Sequence, residues 1–336
     1  MGKLPIKQLS AVLNCIRPTR DVVIPPRPGY DSGVHRIGGD RYLVVSTDPC
    51  IGVPHKWFGW LLVHYAASDV ALFGAEPRYL ALNLLGPPKT SFEVYRFVMR
   101  QACAAAAEMN ATVVTGHTGS YNGLTRLVGT CTAYGFVKSK QLITPDGSRP
   151  GDLIFCTKPV GLEVLINLAL TRRTMARRIF GASRAVELAR MIKMQSCARE
   201  ALLLAKLDGV HAMHDATEGG VVAALNEMAD TSRLGFTVDF EKLPMMAEAG
   251  ILADRYDLTI PQLMAMSSTG TILAAISPRS SQSAVKILAK TGLRPRIIGK
   301  FERSPQRWLT INRKRKDFPK NAEDPYAKIL NKQNSI

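Results

Sequence analysis

Short β-branched apolar runs alternate with longer stretches of helical periodicity in both halves of the chain. Runs bounded by Gly, Pro, Asn or Asp predict strands at residues 42–47, 112–115, 127–137, 153–157, 234–240 and 271–277. Apolar or amphipathic stretches predict helices at residues 57–73, 90–110, 183–206, 221–229 and 281–290. Because strands and helices mix in both halves, we predict an α/β (α+β) fold.

Local signals sharpen some of these boundaries. Gly74 predicts a glycine cap at the end of helix 57–73, and Thr90 with Glu93 predicts a capping box at the start of helix 90–110. The turn formers of residues 145–151 predict a domain boundary. We therefore expect an N-terminal domain of residues 1–145 and a C-terminal domain of residues 146–336.

Composition narrows the class of protein. The chain has 336 residues, of which 46% are hydrophobic and 21% charged, so disorder is excluded as its main state. The longest uncharged run, residues 258–278, contains Pro261 and Gly270 and is a poor membrane span. Without a visible secretory signal, and with six scattered cysteines that form no CxxC pair, the chain is expected in the cytoplasm.

Basic residues exceed acidic ones, 44 against 27, and the net charge is +17. Residues 171–206 carry a net charge of +7, and residues 293–320 carry +8. A basic surface raises the question of nucleic-acid binding. Few aromatic residues interrupt these stretches and no nucleic-acid motif accompanies them, so solvated basic faces are favoured and nucleic-acid binding stays an alternative.

Three aspartates lie in sequence settings where a carboxylate is unusual. Asp31 lies in a glycine-flanked segment, Asp48 follows a predicted strand, and Asp69 lies inside an otherwise apolar helix. A buried carboxylate requires a partner or a metal. Each of them can simply cap or pair locally, but together they are typical of oxygen ligands gathered around a hard cation such as Mg²⁺.

Two further segments have the character of ligand-binding turns. Residues 115–119 place glycines after a predicted strand, where backbone can approach a ligand. Residues 214–220 precede a predicted helix, whose first amides attract a phosphate group. Taken singly, each is equally well explained as a tight strand-to-helix turn.

The order of five motifs resembles the aminoimidazole ribonucleotide (AIR) synthetase superfamily, whose PurM-like fold also includes HypE, thiamine-monophosphate kinase and selenophosphate synthetase. Within it the chain is most similar to AIR-synthase-related, HypE-like proteins over about residues 28–300. The motifs are Gly29-Tyr30-Asp31, Ser46-Thr47-Asp48, residues 68–77, residues 115–118 and residues 214–220.

The resemblance implies a two-domain PurM-like architecture in which the N-terminal α/β domain forms a barrel shared by a homodimer. It implies an ATP- and Mg²⁺-dependent enzyme (a ligase, dehydratase or phosphotransferase) that activates an oxygen of a small acceptor. The implied metal ligands are Asp31, Asp48 and Asp69, and the implied catalytic residues are His117 and Asp215. The implied nucleotide-binding set adds the following residues: Gly29, Ser46, Thr47, Gly116, Thr118, Gly219 and Gly220.

The chain departs from the family pattern at three places. Tyr30 stands where relatives commonly have a second acid, His117 replaces an aspartate, and the extreme C-terminus lacks the substrate-carrying cysteine of the hydrogenase maturation proteins. Two alternatives therefore stay open: a nucleotide-binding protein without catalysis, and a phosphotransferase like thiamine-monophosphate kinase.

Overall fold

The computed structural model describes residue 4 and residues 6–331, which divide into two compact units. One unit comprises residues 15–142. The other comprises residues 143–331 together with the N-terminal helix α1 (Ile6–Leu13).

The unit of residues 15–142 is a six-stranded sheet with two helices. Its elements are β1 (Val22–Ile24), β2 (Gly33–Gly38), β3 (Arg41–Ile51), α2 (His55–Leu72), β4 (Glu76–Gly86), α3 (Phe92–Glu108), β5 (Thr112–Ser120) and β6 (Val128–Lys138). The strand order is β1-β2-β3-β6-β4-β5, and only β4 and β5 pair in parallel. Helix α2 is apolar all round because it packs between this sheet and α3, and most of its residues are buried.

The second unit is built on a seven-stranded mixed sheet. Its strands are β7 (Leu153–Cys156), β8 (Val210–Ala216), β9 (Gly235–Asp239), β10 (Ser268–Ile276), β11 (Arg296–Glu302), β12 (Arg307–Ile311) and β13 (Lys314–Asp317), in the order β13-β12-β9-β11-β7-β10-β8. Its helices are α4 (Leu162–Thr171), α5 (Arg173–Phe180), α6 (Ala182–Arg190), α7 (Ala198–Leu204), α8 (Gly220–Ser232), α9 (Ala247–Tyr256), α10 (Ile260–Met264), α11 (Ser281–Ala289) and α12 (Tyr326–Asn331). Strand β10 is buried along its whole length, including its polar residues Ser268, Thr269 and Thr271.

The predicted α/β class is confirmed, whereas three local predictions are wrong. The helix expected over residues 183–206 is interrupted by a 3₁₀ turn at Met191–Gln195, where the backbone lies against Gly270. Helix α3 begins after Ser91, and no side chain caps it, so the Thr90–Glu93 capping box is absent. Residues 116–120 continue strand β5 instead of forming a turn, since β5 pairs with β4 as far as Ser120.

Candidate functional site

A buried carboxylate joins helix α2 to the sheet of residues 15–142. Asp69 is 5% exposed, and Ser46 of β3 is 2% exposed. The Ser46 hydroxyl donates a hydrogen bond of 2.7 Å to Asp69 Oδ2. As the sequence predicted, the acid lies within an apolar helix, and the hydrogen bond offsets part of the cost of burying it.

Asp48 lies on the same face of β3 as Ser46, because side chains two residues apart point to the same side of a strand. Strand β3 continues to Ile51, so Asp48 is inside the strand and not at its end as expected. Its cross-strand neighbour is the buried Cys131. Burial, together with the charge of Asp48, raises the pKa of the Cys131 thiol to about 12, which keeps this cysteine a neutral thiol.

Thr47 does not join this group. It points to the opposite face of the sheet, where its hydroxyl lies 3.0 Å from that of Thr132. The sequence motif Ser46-Thr47-Asp48 is therefore divided by the strand: two of its side chains face α2 and one faces outward.

The glycine-flanked segment before β2 has an ordered local structure. Gly29 has a φ of +81°, a left-handed conformation that favours glycine. The Arg27 guanidinium lies 3.8 Å from the centre of the Tyr30 ring, and that ring packs against Phe73 at the end of α2. Asp31 follows, half-buried, in the loop between β1 and β2.

Ser32, which the sequence analysis overlooked, adds a polar group to this segment. Its side chain is 3% exposed, and its hydroxyl makes no hydrogen bond to any residue that the structure describes. A buried hydroxyl without a partner is costly, and a bound ligand or ion would satisfy it. Mg²⁺ is held in proteins by carboxylates together with phosphates and waters, so the acids of this unit have the donor type that a magnesium–nucleotide site uses.

The register of β5 separates His117 from its neighbours in the motif. Gly116 pairs with Leu82 and Thr118 with Leu84, both buried, whereas His117 pairs with the exposed Asn83 on the outer face. A Cβ on Gly116 would lie 2.1 Å from the Leu82 carbonyl oxygen, so glycine is required by strand packing. His117 therefore lies on the opposite sheet face from Ser46 and Asp48.

In the second unit, His214 and Asp215 belong to β8 and are both buried. The Nδ1 atom of His214 lies 2.8 Å from the Asp215 backbone oxygen, and its Nε2 atom lies 2.9 Å from the Glu227 carboxylate. Because both ring nitrogens face acceptors, His214 ties β8 to α8. Asp215, to which the resemblance assigns a catalytic role, therefore lies at the end of β8 next to this histidine.

Gly219 and Gly220 form the sharp entry into α8. Their φ angles are +80° and +55°. A Cβ on Gly220 would lie 2.6 Å from the carbonyl oxygens of Met264 and Met266. The turn itself therefore requires both glycines. The first backbone amides of α8 lie directly after the loop that carries Glu218.

Glu163 is a titratable group of the second unit that sequence reasoning missed. The Thr269 hydroxyl donates a hydrogen bond to its Oε2 atom, and the Asn167 amide donates one of 3.2 Å to Oε1. Burial, opposed by the Thr269 hydrogen bond and reinforced by the charges of Glu218 and Asp324, raises its pKa to about 7. The sequence signal for a buried Glu163 was only that it is a single acid at the start of an apolar helix, Leu162-Glu163-Val164.

No helix within the described residues is both long and apolar enough to cross a membrane. All six cysteines are free thiols, and Cys15 and Cys103 are exposed.

Comparison with known proteins gives consistent matches. Residues 29–137 match the model of the AIR synthase related protein N-terminal domain, and residues 149–309 match that of the C-terminal domain. The chain is 25% identical over 334 residues to a selenide, water dikinase of Myxococcus xanthus (strain DK1622), covering 90% of this chain and 91% of that protein. It is 27% identical over 234 residues to the carbamoyl dehydratase HypE of Cupriavidus necator (strain ATCC 17699 / DSM 428 / KCTC 22496 / NCIMB 10442 / H16 / Stanier 337), covering 66% and 62%.

Among solved structures, the hydrogenase maturation protein HypE in complex with ATP superposes with a TM-score of 0.72 at 20% identity, covering 87% of this chain and 89% of that one. The likeness confirms the PurM-like two-domain fold expected from the sequence. The two family models together span both units, and the chain therefore belongs to the AIR synthase related protein family.

Proposed function

We propose that this protein is an ATP- and Mg²⁺-dependent enzyme that activates an oxygen of a small acceptor. The observation that carries the proposal is the buried Asp69 carboxylate, held by Ser46, with Asp48 on the same face of β3. Two of its relatives are a selenide, water dikinase and a carbamoyl dehydratase, and a solved structural neighbour is an ATP complex. These findings support ATP as the co-substrate.

In the proposed site, Asp31, Asp48 and Asp69 hold the metal, and Mg²⁺ neutralises charge on the nucleotide phosphates. The Ser46 hydroxyl orients one carboxylate, and the buried Ser32 hydroxyl completes the oxygen donors of the segment. We also propose Asp215, a buried acid of the second unit, as a catalytic residue. Thr47 lies on the other sheet face, and we do not propose it as a nucleotide contact.

The test is calorimetric titration with ATP in the presence and absence of Mg²⁺. Asp69→Asn keeps the shape of the side chain and removes its charge, so it should weaken MgATP binding at least tenfold, or about 1.4 kcal/mol. Glu323→Gln removes a carboxylate from an exposed position and should bind as the wild type does. Equal affinities in the two variants would show that Asp69 is only structural.

Catalysis is then separated from binding by product analysis. ADP or AMP release is measured against a panel of purine, thiamine and carbamoyl intermediates. Binding without turnover on any acceptor would favour the second candidate, a nucleotide-binding protein without catalysis. That candidate is motivated by His117, which lies on the outer sheet face at a position where an acid was expected.

We also propose that the protein is a homodimer formed through the outer face of the six-stranded sheet. Ile51 and Tyr79, both on this face, are 55% and 45% exposed, and Tyr79 packs edge-on against Phe136. A second copy covering this face would remove apolar area from water. The proposal also follows from the resemblance, which implies that the N-terminal domains of two subunits form one barrel.

A further inference from the structure

Helix α5 and the residue directly before it carry a group of exposed arginines, which we call the α5 arginine cluster. Its members are Arg172, Arg173, Arg177 and Arg178. The opposite side of the helix is apolar, and Met175 is buried there among the other helices of the second unit. The apolar side therefore fixes the helix in place, while the arginines face water.

The positive charge of this cluster is not compensated by nearby acids. The acids of residues 171–206 are Glu187 and Glu200, and each has another partner. Glu187 pairs with Arg184 at 2.8 Å, and Glu200 pairs with the buried Lys158 at 2.5 Å. Within the described part of the chain, no arginine of the cluster forms an ion pair. The excess of positive charge in this stretch is therefore concentrated on one exposed helix face.

The placement of these charges opposes the stability of the helix that carries them. Arg173 and Arg177 lie one helical turn apart, where like charges repel each other. Arg172 and Arg173 also lie at the N-terminal end of α5, which is the positive end of the helix dipole, and no side chain caps this end. A charge pattern that conflicts with its own helix is typical of a functional surface, where a bound anion supplies the missing compensation.

The chemistry and shape of the cluster indicate the kind of anion. All four side chains are arginines, whose planar guanidinium groups bind phosphate groups through two parallel hydrogen bonds. They lie on the convex surface of a helix, whereas small ligands bind in concave sites. An extended chain of phosphate groups therefore fits this surface better than a single small phosphate compound.

The other exposed residues of α5 narrow the choice of polyanion. An anionic membrane would require large apolar side chains beside the arginines, but Thr174 is the only other exposed residue of the helix. Single-stranded nucleic acid is bound largely by stacking its bases on aromatic rings. The one aromatic residue of α5, Phe180, packs against the helical layer and offers no such platform. The phosphate backbone of a duplex is the polyanion that needs neither feature.

We infer that the α5 arginine cluster is a docking surface for the phosphate backbone of duplex nucleic acid, bound without regard to base sequence. The other basic stretch, residues 293–320, has a structural explanation. Its Lys314 and Lys316 lie on the edge strand β13, where charged side chains prevent pairing with other chains. The two basic stretches therefore differ in role, and the second provides a control for the first.

The experiment measures binding of the full chain to fluorescently labelled RNA and DNA duplexes of about 20 base pairs, by anisotropy at about 50 to 200 mM salt. The wild type should bind with a dissociation constant in the micromolar range. The double variant Arg173→Gln/Arg177→Gln should weaken binding at least about tenfold at about 100 mM salt and reduce the salt slope by about 1.8, the value for two phosphate contacts. Lys314→Gln/Lys316→Gln removes the same charge from β13 and should change the affinity less than about threefold.

Three results would overturn the inference. The first is that the wild type binds neither duplex at about 50 mM salt. The second is an equal loss of affinity in the two double variants, which would reflect net charge alone. The third is displacement of the duplex by polyglutamate at equal charge, which would assign the surface to an acidic protein.

The inference is independent of the proposed ATP chemistry. Circular dichroism should show that Arg173→Gln/Arg177→Gln is folded, since both side chains are exposed. Calorimetry should give this variant the same affinity for MgATP as the wild type. Loss of duplex binding and loss of nucleotide binding are therefore distinguished by two separate titrations of the same variant. Comparison of the RNA and DNA duplexes shows which nucleic acid supplies the phosphate backbone.

Discussion

Ser46 and Asp69, 23 residues apart in the chain, share a hydrogen bond of 2.7 Å that is sealed from water between β3 and α2. The serine supplies one of the donors that let a carboxylate remain in an apolar helix. The bond therefore has two effects: it stabilises the fold and it sets the orientation of an acid that we propose binds the metal.

Replacing Ser46 tests the first effect. Ser46→Ala should lower the free energy of unfolding by about 1–3 kcal/mol, because the buried Asp69 loses a donor. The measurement is urea denaturation followed by circular dichroism. Thr47→Ala is the matched control, since its neighbouring hydroxyl is exposed on the opposite face, and it should change stability by less than about 0.5 kcal/mol. Equal losses in the two variants would contradict the role of Ser46.

The division of Ser46, Thr47 and Asp48 between two faces shows what sequence reasoning could and could not predict. The strand itself was predictable from its β-branched residues, and its alternation follows from strand geometry. Its extension through Pro49 to Ile51 was not, because it depends on pairing with β6, residue by residue from Arg41 to Ile51. Pairing with a segment some eighty residues away leaves no local signal.

The same reason explains the errors at β5 and α6. Gly116 had the appearance of a turn residue, but it lies in a strand where the Leu82 carbonyl leaves no room for a Cβ. The break after α6 occurs where the Met194 carbonyl meets Gly270 of β10, a contact between distant segments. The burial of Asp69 was predictable because the apolar residues around it form a complete helix. The burial of Ser32 and the hydrogen bond of Glu163 to Thr269 depend on segments that are distant in the chain, so sequence reasoning missed both residues.

Two glycines provide a paired test of the entry to α8. Gly220→Ala should lower the free energy of unfolding by more than about 2 kcal/mol, since the new Cβ meets two carbonyl oxygens at 2.6 Å in a left-handed conformation. Gly250→Ala adds a methyl group where nothing lies within 4 Å, on helix α9, and should raise stability by about 0.5–1 kcal/mol. Thermal and urea denaturation measure both. If Gly220→Ala left the free energy of unfolding unchanged, the turn would have to relax easily around the new methyl group.

The homodimer proposal predicts that one charge on the outer sheet face separates the subunits. Tyr79→Arg should give a monomer in sedimentation velocity at micromolar concentration, where the wild type should sediment as a dimer. Phe92→Arg is the control, because Phe92 is 72% exposed but lies on α3, away from that face. A wild-type monomer would refute the proposal. Dissociation by both variants would instead place the interface elsewhere.

Glu163 predicts how stability depends on pH. Its pKa in the folded protein is about 7, against an ordinary value of 4.5, chiefly because burial disfavours the charged form. Between these values the folded state keeps a proton that the unfolded state has released. The free energy of unfolding therefore falls as pH rises from about 4.5 to about 7, and the loss is complete above that range.

Glu163→Gln removes this titration while keeping a group that can hydrogen-bond to Thr269 and Asn167. As pH rises from 5 to 8, the free energy of unfolding of the wild type should fall relative to that of this variant by about 1–3 kcal/mol. Because the carboxyl is only half-buried, access of water to it reduces the difference toward the lower value. Urea denaturation at a series of pH values gives the difference. Glu323→Gln, which alters an exposed acid, should follow the wild-type curve. Parallel curves for wild type and Glu163→Gln would show that Glu163 titrates as an ordinary surface acid and that Glu218 and Asp324 do not act on it.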